Sequence, residues 1–444
     1  MLGMKDISAV YAKHKDLVDN VFWLFFDKVL RMAIGLLVIV WMARYLGPEA
    51  FGVLNYAIAL VTILTAISSF GLNGVVVRDL VREQDSKPEI IWSAFIIRFS
   101  AALISYVCLL IYIFYIGSED QLSKICVSVL GASIIFQSLH VLKCWFESEV
   151  KSKYVVWVEN SAFLLFSLIK ILLIVSESSL VFFAIAAAVE VSIACMLLLL
   201  MYLRMNVKAF TFRFHRARLL QLARDSWPLA LSASLATLLL KIDQVMIMDL
   251  LGAKEVGVYS AAAKLSELWY FVPVAIAGTL FPSILKSQKI SNQVYLNKLG
   301  RLYDIMVFCS VFIAIPISIF SEQIMFLVYG EGYEGAASIL SIHIWCSVFV
   351  FLRIVTAQWF LINNFQLLTL LRSLTAAILN VSLNYLLIPI YGAEGAAYSL
   401  VIALFWATYG FTILSPRMWP CFVMQTKAML FVSSFSFIKN KLIR

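Results

Sequence analysis

Apolar residues run for about twenty positions at a time through this chain, the length needed for a helix to cross the hydrocarbon core of a bilayer. The first six runs are Val21–Tyr45, Val53–Phe70, Ile90–Ile116, Ile125–Phe146, Tyr154–Val175 and Leu180–Leu203. After a polar, basic interval come Trp227–Leu251, Val258–Leu285, Leu302–Phe320, Ala336–Leu361, Leu367–Pro389 and Gly395–Leu414. Backbone polar groups in lipid must be satisfied within the segment, so each run predicts a helix. The pattern predicts an all-α, polytopic membrane protein of about 12 transmembrane helices, six in each half. A further stretch, Met418–Ile438, is apolar but interrupted by Pro420 and Lys427, and reads as interfacial.

Composition agrees. Of the 444 residues 62% are hydrophobic and 14% charged, and the mean hydropathy is +0.93, beyond the range of water-soluble domains. The run from Val21 is too long, and too rich in Phe22, Trp23, Phe25 and Phe26, for a cleavable leader. Seven cysteines and four histidines stand singly, without the spacing of a disulfide framework or a metal site.

The net charge of +9 is a topology signal. With the N-terminus inside, 25 of the 35 basic residues fall in inner loops and 3, Arg44, Lys124 and Lys254, in outer ones. That split predicts cytoplasmic termini. Dispersal over many short loops argues against nucleic acid as a partner.

The two halves echo one another. Leu46-Gly47-Pro48-Glu49-Ala50-Phe51-Gly52-Val53 is repeated as Leu251-Gly252-Ala253-Lys254-Glu255-Val256-Gly257-Val258, each at the junction of two apolar runs. A repeat at this point predicts two lobes of related structure, an organisation used by secondary transporters. The expected domains are 1–203 (a six-helix lobe), 204–226 (a basic cytoplasmic linker), 227–414 (the second lobe) and 415–444 (a basic cytoplasmic or interfacial tail).

Arg44, Lys143 and Arg372 lie near run ends and are counted with the loops, the first as outer and the other two as inner. Seven further bases lie inside the runs: Lys28, Arg31, Arg98, Lys170, Lys241, Lys264 and Arg353. Each costs roughly 2.5–3.5 kcal/mol at a helix centre, so each needs a partner, water or a purpose. Asp27 is four residues before Arg31, and Glu267 three after Lys264, spacings that place each pair on one helical face. Asp243 is two residues from Lys241 and does not face it. Bases outnumber acids at this depth, which favours a water-filled cavity with cationic walls that receives an anion. Arg31, Lys28, Arg98, Lys241, Lys264 and Arg353 are the candidates for binding it. Guanidinium groups stay charged when desolvated and match phosphate oxygens bidentately. Asp27, Asp243 and Glu159 are candidates for ion pairing or for coupling to a proton or sodium ion. No other cofactor and no metal is expected.

The blocks Ala43–Gly52, Lys241–Ile247, Gly257–Leu265, Phe281-Pro282 and Asn380–Ala397 resemble the Wzx-type O-antigen flippases. These are the polysaccharide-transport branch of the multidrug/oligosaccharidyl-lipid/polysaccharide exporter superfamily. The resemblance covers essentially the whole chain. It implies a bacterial inner-membrane transporter with two six-helix lobes and a cationic cavity. The implied cargo is an undecaprenyl-pyrophosphate-linked oligosaccharide, moved by alternating access from the cytoplasmic to the periplasmic leaflet. Membrane lipids, a polysaccharide polymerase and a chain-length regulator are the implied partners. Two other functions start from the same helices. A cation-coupled exporter of small molecules requires an acidic or neutral cavity, whereas bases dominate here. A membrane-embedded polymerase requires a large outer loop or a carboxylate cluster facing water. No outer loop here exceeds about fifteen residues, and Glu147 with Glu149 reads as a solvated helix end. The expectation is therefore a transporter and not an enzyme.

Overall fold

In the computed structural model, residues 4–115, 120–205, 215–288, 290–363 and 365–430 are described, with side chains from Arg31 onward except that of Pro282. Every regular element among them is helical. The first part of the chain forms α1 (Met4–Ser68), α2 (Leu72–Arg82), α3 (Lys87–Tyr115), α4 (Gln121–Phe136), α5 (Val141–Ser148), α6 (Ser152–Val175) and α7 (Leu180–Met205). After the linker come α8 (Arg216–Leu251), α9 (Ala253–Glu267), α10 (Phe271–Gln288), α11 (Asn292–Ile319), α12 (Ser321–Tyr329), α13 (Ala336–His343), α14 (Cys346–Ile362), α15 (Gln366–Tyr391) and α16 (Ala393–Phe405). A π-helical turn, Trp406–Gly410, leads into α17 (Phe411–Ile413), and α18 (Trp419–Met429) ends the described chain.

Eleven stretches among the described residues are long and apolar enough to cross a bilayer. The first, Arg31–Arg82, has 52 residues and would reach about 78 Å as one straight helix, far beyond the hydrocarbon core. Gly47 adopts φ +70° and is followed by Pro48, so the right-handed hydrogen-bond ladder is broken there. Two spans result, and the predicted twelve are all present. The burial pattern is that of a membrane protein, with many of its large apolar side chains outside. Ile104, Phe114, Phe312, Ile319, Leu386 and Ile390 are exposed, whereas Asp79, Arg98, Asp243, Asn380 and Asn384 are buried.

The chain divides into two compact units. Unit 1 comprises residues 1–46 and 56–237, and unit 2 comprises 47–55 and 238–444. These borders differ from the ones expected from loops alone. Residues 47–55 belong to unit 2 because the two echoed motifs pack backbone to backbone. A Cβ on Gly52 would lie 1.8 Å from the Ala253 carbonyl oxygen, and one on Gly257 would lie 1.8 Å from that of Pro48. Only glycine permits that approach.

The border also falls inside α8, between Thr237 and Leu238. Ion pairs hold the start of α8 to α2 within unit 1: Arg218 reaches both Asp79 and Glu83 at 3.1 Å, and Arg78 reaches Asp225 at 3.2 Å. Residues 206–214 of the expected linker lie outside the described residues.

As far as it is described, the tail packs one face of α18 against unit 2 and leaves Trp419, Val423 and Leu430 exposed. Cys421, Gln425 and Ala428 share one face of α18 and are buried in the core of unit 2. Gln425 Nε2 donates to Thr356 Oγ1 at 2.8 Å and to the Thr408 carbonyl at 3.2 Å, which explains an amide on an otherwise apolar face. Residues 431–444 lie outside the described residues.

Candidate functional site

Thr62, Thr65 and Ser69 recur at helical spacing along the second half of α1 and present a hydroxyl stripe. Opposite it, the 3₁₀ turn Gln137–His140 interrupts the fourth apolar run and offsets α5 from α4. Such an interruption redirects side chains that a continuous helix would send elsewhere. Together these elements line an open cavity of about 340 Å³ within unit 1. Its polar lining is Thr62, Thr65, Ser68, Ser69, Asn73, Arg98, Gln137, Ser138, His140, Lys143, Cys144, Glu147 and Thr237.

Arg98, only 3% exposed, projects from α3 into this lining and donates through Nη2 to Asn73 Oδ1. Its Nε has no hydrogen-bond partner. Gln137 Nε2 donates to Thr65 Oγ1 at 3.3 Å, tying the 3₁₀ turn to the hydroxyl stripe. Glu147 is the one acid of the lining, and Arg98 and Lys143 both act on it electrostatically. The cavity thus offers hydroxyl and amide groups around a cationic centre. That set can hold the hydroxyls of a saccharide and the oxygens of a phosphate.

Lys143 also bonds to Glu159, whose other oxygen lies 3.3 Å from Arg31 Nη2. Arg31 stacks over the Phe163 ring as well, 5.5 Å from its centroid. Its described partner is Glu159, and the expected partner Asp27 lies outside the described side chains, as does Lys28. Of the predicted anion-binding residues, Arg98 lines the cavity directly, and Arg31 is linked to the lining residue Lys143 through their shared partner Glu159. Lys143 was counted among the inner-loop charges from sequence. Its place in the site comes from the 3₁₀ turn, which no hydrophobic pattern reveals. Lys170, the base most simply explained by pairing, forms a 2.6 Å bond to Glu190.

Lys241, Lys264 and Arg353 belong to unit 2 and are not among the residues lining that cavity. Lys241 Nζ bonds to Glu267 at 2.9 and 3.0 Å, and Lys264 acts on the same carboxylate. Asp243, fully buried, accepts from Asn384 Nδ2 at 2.7 Å and from the Tyr259 hydroxyl at 2.9 Å. Asn384 Nδ2 is also 3.3 Å from Asn380 Oδ1, while Asn384 Oδ1 has no partner. The ring of His343 meets that of Tyr259 edge-on at 5.8 Å. Among the described residues no group of histidine, cysteine and acidic side chains has the arrangement of a metal centre.

The Lys241–Glu267 pair is a mutual neutralisation across α8 and α9. Lys241→Met leaves a charged carboxylate without its donor and is expected to lower stability by about 1.5–3 kcal/mol. The double variant Lys241→Met/Glu267→Gln recovers most of the loss, read from the melting temperature of the purified protein. A loss in the double variant equal to the sum of the losses in Lys241→Met and Glu267→Gln would show that the pair is not coupled.

Residues 17–288 match the model of the "Polysaccharide biosynthesis protein" family. The chain belongs to that family. It is 23% identical over 398 residues to the capsular polysaccharide biosynthesis protein CapF of Staphylococcus aureus, covering 88% of this chain and 96% of that one. It is 22% identical over 405 residues to a Shigella flexneri protein described as a "Putative O-antigen transporter", covering 86% and 94%. Among solved structures, the lipid II flippase MurJ in an inward closed conformation superposes with a TM-score of 0.71 at 13% identity, over 94% of this chain and 93% of that one. An inward-facing multidrug transporter of the MATE family gives 0.63 at 14% identity, over 91% and 95%. These likenesses bear out the twelve-span fold and the resemblance to the polysaccharide flippases. The chain is a multi-pass membrane protein of the polysaccharide-transport type. The match spans all of the unit 1 cavity and reaches Lys241, Asp243 and Glu267, but ends before Arg353.

Proposed function

We propose that this protein moves a lipid-linked saccharide, its sugar head joined to a polyprenyl chain through pyrophosphate, across the bacterial inner membrane. The observation that carries this reading is the unit 1 cavity. A fixed guanidinium, an ammonium group and a ring of hydroxyls and amides lie within a unit whose outer surface is apolar. Burying such a set in a membrane unit is costly unless something polar passes through it. Pyrophosphate answers the cations and sugar hydroxyls answer the rest, while the polyprenyl chain stays in lipid. The head crosses by alternating access, with the two units changing their mutual orientation. The S. flexneri relative's description favours an O-antigen repeat unit, and the S. aureus relative's a capsular one.

The energy for export enters, on this reading, at Asp243. Its carboxylate, with Asn384 Oδ1 open beside it, can take a proton or a sodium ion, and the surrounding amides hold it in place. The protein makes and breaks no covalent bond in this scheme. A cation-coupled drug exporter fits the basic lining of the cavity less well.

Deleting the gene tests the proposal. Surface polysaccharide is expected to disappear while pyrophosphate-linked repeat units accumulate on the cytoplasmic side. A reporter active only outside the cytoplasm is expected to work when fused after Glu177 or Glu331 and to be silent after Lys289. Normal surface polysaccharide in the deletion strain would overturn the function, and a reversed reporter pattern the orientation.

A further inference from the structure

We infer that Arg353 and Arg372 form a buried site for a phosphate-type anion within unit 2. Arg372 lies on α15, is 2% exposed, and stacks its guanidinium 4.9 Å from the centroid of the Phe360 ring. Neither its Nε nor its Nη1 has a hydrogen-bond partner. Arg353, on the preceding helix α14, is near enough to repel it. Among the described residues neither arginine is within ion-pairing distance of a carboxylate, which sets them apart from Arg31, Lys143, Lys170 and Lys241.

A lysine in this position could shed its proton, but a guanidinium cannot. Water could satisfy the open N–H groups without cancelling the charge. A buried guanidinium with a second positive charge beside it and no carboxylate in reach calls for an anion. The Phe360 ring beneath Arg372 Cζ offers no lone pair to the guanidinium, so Nε and Nη1 remain for an acceptor such as a phosphate oxygen. Tyr303 and Thr356, hydrogen-bonded to each other at 3.0 Å, belong to the same polar cluster. The shared chemistry is a phosphate, carried either by the head of an anionic phospholipid or by a soluble diphosphate.

The test uses the full-length protein, purified in detergent and stripped of lipid, and reads its melting temperature. Phosphatidylglycerol is compared with phosphatidylcholine, and inorganic pyrophosphate with chloride at equal ionic strength. Wild type is expected to melt several degrees higher with at least one of the two phosphate carriers than with its control. A rise with phosphatidylglycerol alone assigns the site to a lipid head, and one with pyrophosphate to a diphosphate. Arg372→Met is expected to lose the rise and, without ligand, to melt at or above the wild-type temperature, because an uncompensated charge has gone. An arginine held by protein partners would give the opposite sign. Arg353→Met, at a less buried position, reads the same loss if Arg372→Met does not accumulate. No rise with either carrier in wild type, or an undiminished rise in the variants, overturns the site. Either result leaves the transport reading untouched, because the unit 1 cavity contains neither arginine.

Discussion

Gly257→Ala is expected to remove most of the folded protein from the membrane, and Gly52→Ala to do the same. Each new methyl group would sit 1.8 Å from a backbone carbonyl oxygen, that of Pro48 in one case and of Ala253 in the other. A clash with a flexible side chain relaxes by rotation, but here two helix starts would have to separate. Overpacking of well-packed interiors costs about 1–3 kcal/mol, and a backbone obstacle places these variants at or above the upper end. At 3 kcal/mol the folded-to-unfolded ratio falls by roughly a hundredfold. Gly47→Ala and Gly252→Ala are the controls. Their added Cβ atoms meet nothing within 4 Å, so the cost is only that of positive φ, +70° and +92°, about 1–3 kcal/mol. Membrane abundance and melting temperature of the four variants separate the two effects. Wild-type values for Gly257→Ala would show that the echoed motifs do not meet as described.

That contact also marks how far the sequence could be read. The spans were legible because lipid imposes one requirement on every residue of a run, and the run alone states it. The repeat was legible as well, and it located Gly47 and Gly252 at breaks in the helices. What the second glycine of each motif does was not legible. Gly52 looks like any glycine opening a helix, and the carbonyl that excludes a side chain there is contributed by residue 253, about two hundred positions later. Charges behaved similarly. Asp27 and Glu267 were the expected partners of Arg31 and Lys264 by helical spacing, yet Glu159 and Lys241 supply described contacts that no local rule suggests. Lys143 and Arg372 were counted as loop charges because apolar runs end near them. In the structure one lines a cavity and the other is almost wholly buried. Positive charge near a span end states orientation on average, and it does not say which individual residue turns inward.

Arg98→Met is expected to reduce surface polysaccharide roughly ten- to a hundredfold at unchanged membrane abundance. The side chain is almost wholly buried and anchored on Asn73, its Nε has no partner, and it lines the same cavity as the hydroxyl stripe of α1. Losing a charge-assisted contact costs about 1.5–3 kcal/mol, which sets the size of the effect. Methionine fills most of the volume, so packing around Asn73 and Cys144 changes little. Arg98→Lys is expected to restore export in part, because an ammonium group keeps the charge but not the planar fork. Arg31 makes a weaker test than its depth in the first span suggests, since Glu159 already neutralises it. Lys170→Met serves as the comparison: that base is paired with Glu190 outside the cavity, so its loss should lower abundance and export together. The discriminating quantity is export per folded molecule. If Arg98→Met and Lys170→Met leave that ratio equally unchanged, the unit 1 cavity does not lie on the path of the head group, and its polar lining needs another explanation.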